Sequence, residues 1–127
     1  MSLDRRDLLI GAAAVAASSA AAAADKTARY GLIGRIRSLP GRRAELRQIL
    51  ASGTGQMPGC LAYIVADDAA DAESLWVTEV WESKDAHAAS LKLPQVRDAI
   101  SKGRPLIVSF DSIAETHSAS GHGLAHP

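Results

Sequence analysis

From Leu75 to Glu82 the chain reads Leu-Trp-Val-Thr-Glu-Val-Trp-Glu, a strand with large apolar side chains at both parities. Alternate residues of a strand point to opposite faces. Leu75, Val77, Glu79 and Trp81 therefore share one side, and Trp76, Thr78, Val80 and Glu82 the other. The two tryptophans lie five apart and face opposite ways. A sheet holding this strand at its centre must be covered on both faces, because a bare face would leave a large apolar patch in water.

The flanking chain supplies the rest of such a sheet. Residues 29–38 alternate, with Tyr30, Leu32, Gly34 and Ile36 against Gly31, Ile33, Arg35 and Arg37. This is a first strand in which Gly31 and Gly34 mark a bulge or a close approach. Pro40-Gly41 ends it. Arg42 to Ala51 comes next as a helix with Leu46, Ile49 and Leu50 on one face, stopped by Gly53 and Gly55. Leu61–Ala66 is a second strand, and the acidic loop Asp67 to Glu73 leads into the third. Ser83 caps the next helix, with Asp85 in its first turn. That helix is interrupted at Pro94 and restarts through Lys102, and Leu106–Ile113 is the last strand. The order βαββαβ predicts an α+β, ferredoxin-like domain: a four-stranded antiparallel sheet with helices on one face. The face left open is apolar, so a second copy of the chain is expected to cover it in a two-fold dimer.

The first residues do not fit this domain. Asp4-Arg5-Arg6-Asp7 precedes Leu8-Leu9-Ile10 and a charge-free, Ala-rich run from Gly11 to Ala24. This pattern describes an export signal over residues 1–24 of twin-arginine type, cleaved after Ala24, and a periplasmic destination. An uncleaved membrane anchor is the other reading. The domain is expected over residues 28–117, and the Gly-, Ser- and His-rich residues 118–127 as a mobile tail.

The chain has 14 basic and 14 acidic residues and only 4% aromatics, which argues against a nucleic-acid binder. Its charge is nonetheless segregated. Arg29, Arg35, Arg37, Arg42, Arg43 and Arg47 precede Asp67, Asp68, Asp71, Glu73, Glu79, Glu82 and Asp85. The two blocks are expected to meet across a helix–sheet or subunit contact, or else to be solvated faces. Cys60 is the sole cysteine, so no intrachain disulfide forms, and a small buried residue opening a strand describes it better than a reactive thiol.

Pro58-Gly59-Cys60-Leu61-Ala62-Tyr63, Thr78-Glu79-Val80-Trp81-Glu82-Ser83 and Ala86-His87, in this order, resemble the antibiotic biosynthesis monooxygenase family in its quinol monooxygenase-like branch. The resemblance spans roughly residues 28–117. It implies a small dimeric α+β barrel that oxygenates a quinol or other electron-rich aromatic with O2 and uses no cofactor. It also leaves open a non-catalytic ligand-binding or stress-response dimer, a structural dimerisation module and, on weaker grounds, a haem-degrading enzyme. The small aromatic substrate, O2 and a second subunit are the expected partners, without nucleic acid, and without membrane once the signal is removed.

The expected chemistry asks for an apolar pocket, a base for a phenol and a group to hold the anion. His87, early in the helix after the third strand, titrates near neutrality when unperturbed. It is a catalytic candidate, or a helix histidine that packs on the sheet or caps a carbonyl. Many relatives carry a histidine where this chain has Ser90, nearly one turn further on the same face. Glu79 is read as paired with Arg35 or Arg37, or as a general base. Tyr63 donates to a substrate oxygen or fills the core. One of Trp76 and Trp81 is expected to line the cavity under the helices, and the other to meet the partner's sheet. Arg104 holds an anionic ligand or is solvated. Metal binding has little support: His117, His122 and His126 lie in the tail without ligand spacing. No Gly-rich phosphate loop joins a strand to a helix, so nucleotide and flavin lack support too.

Overall fold

The computed structural model describes residues 29–123; the expected export signal over residues 1–24 and the tail residues 124–127 lie outside the described residues. The elements are β1 Tyr30–Ser38, α1 Arg43–Gly53, β2 Cys60–Asp67, β3 Ser74–Trp81, α2 Lys84–Ser90, α3 Pro94–Gly103, a 3-10 turn Arg104–Leu106 and β4 Ile107–Thr116. The strands form one sheet in the order β2-β3-β1-β4, with every neighbouring pair antiparallel. This is the ferredoxin-like α+β fold, as expected from the strand and helix pattern. Among the described residues no helix is long and apolar enough to cross a membrane. Residues 118–123 carry no helix or strand.

The β1–β3 register sets the faces. Tyr30 stands opposite Trp81, Leu32 opposite Glu79, Gly34 opposite Val77 and Ile36 opposite Leu75. Apart from Gly34, which has none, these residues turn their side chains toward the helices. Ile36, Leu46, Leu75, Val77 and Leu106 form an aliphatic core at one end of the layer. Tyr30, Met57, Trp81 and Val96 form an aromatic one at the other. Ile64 and Ile113 are 56% and 53% exposed. Ile64 stands opposite Thr78, whose side chain points away from the helices.

The structure corrects three expectations. β4 runs to Thr116 rather than Ile113, because it pairs with β1 as far as Gly31, and its register shifts between Ile33 and Gly34 and between Arg37 and Ser38. Those irregularities break the alternation that marks a strand in sequence. Gly53, expected to stop the first helix, is instead the last residue of α1. A Cβ there would collide with Ala99 of α3, so the glycine serves the α1–α3 contact. Glu79 pairs with neither arginine, because Arg35 bridges to Asp111 (3.6 Å) and Arg37 to Asp71 (3.1 Å). Both arginines have the opposite parity to Leu32, the residue beside Glu79, and so lie on the other face of the sheet.

The segregated charges do meet. Arg47 Nη1 donates to both oxygens of Asp67 (2.7 and 2.8 Å), and Arg43 donates to the carbonyls of Asp68, Asp71 and Ser74. These contacts tie α1 to the β2–β3 loop. Asp68 folds that loop by accepting from the Ala70 and Asp71 amides and from Trp76 Nε1 (2.6 Å). The Trp76 hydrogen bond, helped by the two amides, holds the Asp68 carboxyl below the usual range. The glycines of β1 mark close approaches, since a Cβ on Gly31 would strike Thr116 and one on Gly34 would crowd the Asp111 carbonyl.

Candidate active site

A cavity of about 270 Å³ lies between the sheet and the three helices, lined almost wholly by apolar atoms. Its polar wall is built at the aromatic end of β3. Glu79 and Trp81 are two apart on that strand, and both face the helices. Trp81 is almost fully buried, and its Nε1–H donates to Glu79 Oε1 at 2.9 Å.

Helix α2 places His87 over this wall. Ser83 Oγ accepts the Ala86 amide (3.1 Å) and starts the helix directly after β3, as expected. Gly59, at φ +81, makes the turn before β2, and a side chain there would collide with Ala86. The Pro58-Gly59 and Ala86-His87 segments are thus in contact, and both position the imidazole. The His87 ring sits 5.4 Å from each of Tyr30 and Trp81. Its Nε2 lies 3.8 Å from Glu79 Oε1, and the two side chains are only 20% and 16% exposed.

That separation is too long for a hydrogen bond. Charge is also costly for both groups. Burial raises the Glu79 carboxyl to about 7, opposed only by the Trp81 hydrogen bond. Burial, with Lys84 adding to it, lowers His87 to about 4. At neutral pH His87 is therefore a neutral imidazole, and Glu79 is near the midpoint of its titration. The contact is not an ion pair. A hydroxyl oxygen about 2.8 Å from each atom would span the gap and reach both.

The remaining candidates fall partly inside the cavity and partly outside it. Tyr63 and Ser90 line the cavity, and Ser90 Oγ donates to the His87 carbonyl at 2.6 Å. Arg104 is exposed and contributes to the lining. Trp81 is the tryptophan of the cavity. Trp76 lies on the open face, with Arg35 5.8 Å above its ring. Cys60 packs near Trp81, its thiol pushed up by burial. His117 Nδ1–H donates to the Arg29 carbonyl (2.8 Å), away from the site. Among the described residues no three His, Cys, Asp or Glu side chains are grouped to hold a metal ion.

Sequence reasoning missed Tyr30, Met57 and Glu115. Tyr30 is buried, and its hydroxyl donates to Glu115 at 2.6 Å, joining the first and last strands at the cavity rim. Tyr30 is visible in sequence as an aromatic at a core parity. The pairing with Glu115, 85 residues away, depends on the register.

A family model described as antibiotic biosynthesis monooxygenase matches residues 29–102. A crystal structure from Chloroflexus aurantiacus J-10-fl, named as a candidate antibiotic biosynthesis monooxygenase, is 52% identical. The match covers 76% of this chain and 99% of that one, with a TM-score of 0.74. A similarly named protein from Deinococcus radiodurans is 26% identical over 73% of this chain and 95% of its own, with a TM-score of 0.61. SnoaB, a cofactor-independent oxygenase from Streptomyces nogalater, shares the fold at 17% identity, 73% and 95% coverage and a TM-score of 0.62. No curated protein matches the chain.

Proposed function

The chain belongs to the antibiotic biosynthesis monooxygenase family, and from that premise we propose that its cavity oxygenates a hydroquinone or similar electron-rich phenol, with Glu79 as the proton acceptor. The observation that carries this reading is the carboxyl raised to about 7 in an apolar cavity, held by Trp81 and facing a neutral His87. A base that titrates near the working pH is populated and still strong enough to be useful. His87, lowered to about 4, is the weaker base, and it serves better as a neutral hydrogen-bonding partner to the same hydroxyl.

The substrate supplies the electrons. Loss of a phenolic proton to Glu79 makes an anion that O2 can oxidise. One oxygen atom enters the ring and the other leaves as water, so a hydroquinone and O2 give a hydroxyquinone and H2O. The apolar lining favours a flat ring and excludes bulk water from the anion. SnoaB, named as a cofactor-independent oxygenase, supports this class of chemistry on the fold. The exposed Ile64, on the face of the sheet away from the helices, supports a homodimer through that face. The Arg5-Arg6 pair and Ala-rich run support export to the periplasm.

Oxygen uptake with several hydroquinones, corrected for autoxidation and run with EDTA, tests the activity. Glu79→Gln should lower kcat by about 10²–10⁴-fold, the usual worth of a positioned base. The wild-type rate should rise with pH through about 7, as the carboxyl loses its proton. Uptake no faster than autoxidation with every quinol would leave ligand binding without turnover as the better reading.

A further inference from the structure

Two tyrosines line the cavity, and they differ in how their hydroxyls are used. Tyr30 donates to Glu115 at 2.6 Å. Tyr63 is β2's direct partner of Glu79 across the β2–β3 ladder, on the helix-facing side. Its hydroxyl forms no hydrogen bond with any described residue, Glu79 included. Burial is the main cause that pushes this hydroxyl far above the usual tyrosine range, and the negative charge of Glu79 adds to it. The group therefore stays protonated and is a donor at any working pH.

A desolvated donor without an acceptor is a net cost to the fold, and phenylalanine would fill the same space without it. Tyr63 lines the same cavity as Glu79 and His87, and that cavity is otherwise almost wholly apolar. Side chains directly opposite on an antiparallel pair start from Cβ atoms about 5 Å apart, so one aromatic ligand can reach both.

We propose that Tyr63 is a specificity-determining donor that binds a second oxygen of the ligand, so that the site selects aromatics carrying two ring oxygens over those carrying one. One oxygen occupies the gap between Glu79 and His87, and the other accepts from Tyr63. The proposal rests on the reading of Glu79 and His87 as the first anchor, but it concerns recognition and needs no turnover.

The test is calorimetric titration under argon with 1,4-dihydroxynaphthalene and with 1-naphthol, on wild type and Tyr63→Phe. Wild type should bind the two-oxygen probe about tenfold more tightly, the worth of one well-made neutral hydrogen bond. Tyr63→Phe should lose that factor for 1,4-dihydroxynaphthalene and keep its affinity for 1-naphthol. Its ligand-free unfolding midpoint should be unchanged or higher, because an unpartnered donor has been removed. Equal wild-type affinity for the two probes, absence of binding, or an equal loss for both probes in the variant overturns the proposal. So does a drop in ligand-free stability, which would mean that the hydroxyl has a structural partner. Failure of oxygen uptake in air, with the discrimination intact under argon, would sink the catalytic reading and leave this one standing.

Discussion

The two ends of the sheet–helix layer are made by the same strands and differ in almost every other respect. β1 contributes Ile36 to one end and Tyr30 to the other, and β3 contributes Leu75 and Trp81. The Ile36 end is packed with aliphatic side chains, and Leu75 there is fully buried and takes no part in the cavity lining. The Trp81 end contains Glu79, His87 and Tyr63, each carrying a polar atom that burial penalises. The strand from Leu75 to Trp81 spans about 20 Å. Over that length the chain passes from packing that holds the fold to a site that strains it. One end can thus supply the stability that the other consumes.

The sharpest way to break this comparison is to make a hole at the aliphatic end. Leu75→Ala should destabilise the protein by about 2–5 kcal/mol, as expected for a fully buried leucine that does not line the cavity. Oxygen uptake per folded molecule, measured well below the unfolding transition, should be unchanged. A loss of kcat matching that of Glu79→Gln would show that the ends are not independent.

The fold is legible in sequence where alternation is clean and not where it is interrupted. β3 alternates without a bulge against β1, so the faces of Trp76 and Trp81 can be assigned as opposite from their spacing alone. β4 is irregular at two points against β1, and its last residues carry no strand signal that sequence reasoning could use. Glu79 and His87 stand out as candidates because a carboxylate inside an apolar strand and a histidine on the next helix are locally unusual. Their environment does not show in the sequence. Arg35 and Glu79 are both charged residues of adjacent strands, yet they lie on opposite faces, and only the register shows it. The same is true of Tyr30 and Glu115, whose contact depends on β1 and β4 being neighbours.

The contrast between the two ends can also be sharpened through pH. Glu79 titrates at about 7 in the folded chain against an ordinary 4.5, so its protonated form contributes stability that is complete below 4.5 and gone above about 7. His87 titrates at about 4 against 6.5, so its neutral form contributes stability that is complete above 6.5 and lost as pH falls through about 4. Each effect is about 3 kcal/mol in size, and between 4.5 and 6.5 the two slopes oppose each other. Single variants should unmask them in urea unfolding at a series of pH values, run beside wild type. Glu79→Gln leaves only the histidine effect and should lose stability toward acid between 6.5 and 4. His87→Gln leaves only the carboxyl effect and should lose stability toward base between 4.5 and 7. Variants whose pH profiles run parallel to wild type would show that the polar end is better solvated than its burial implies.

The smallest expected effect concerns how the polar end is held. Ser83 Oγ is the N-cap of α2, and that helix of 7 residues carries His87. Removing a serine cap costs about 1 kcal/mol. In a short helix at the polar end of the layer, that loss should appear as local fraying before it appears as global unfolding. Ser83→Ala should therefore lower the overall unfolding free energy by about 1 kcal/mol or less, while amide exchange speeds up selectively over residues 84–90. Because His87 is in the first turns of that helix, fraying should also admit water to the Glu79–His87 gap. The pH midpoint of oxygen uptake should then move from about 7 toward the ordinary carboxylate value of 4.5. Leu75→Ala, though far more destabilising, should leave that midpoint in place. A cap variant with faster exchange but an unmoved midpoint would show that the strand and Trp81, rather than α2, set the environment of Glu79.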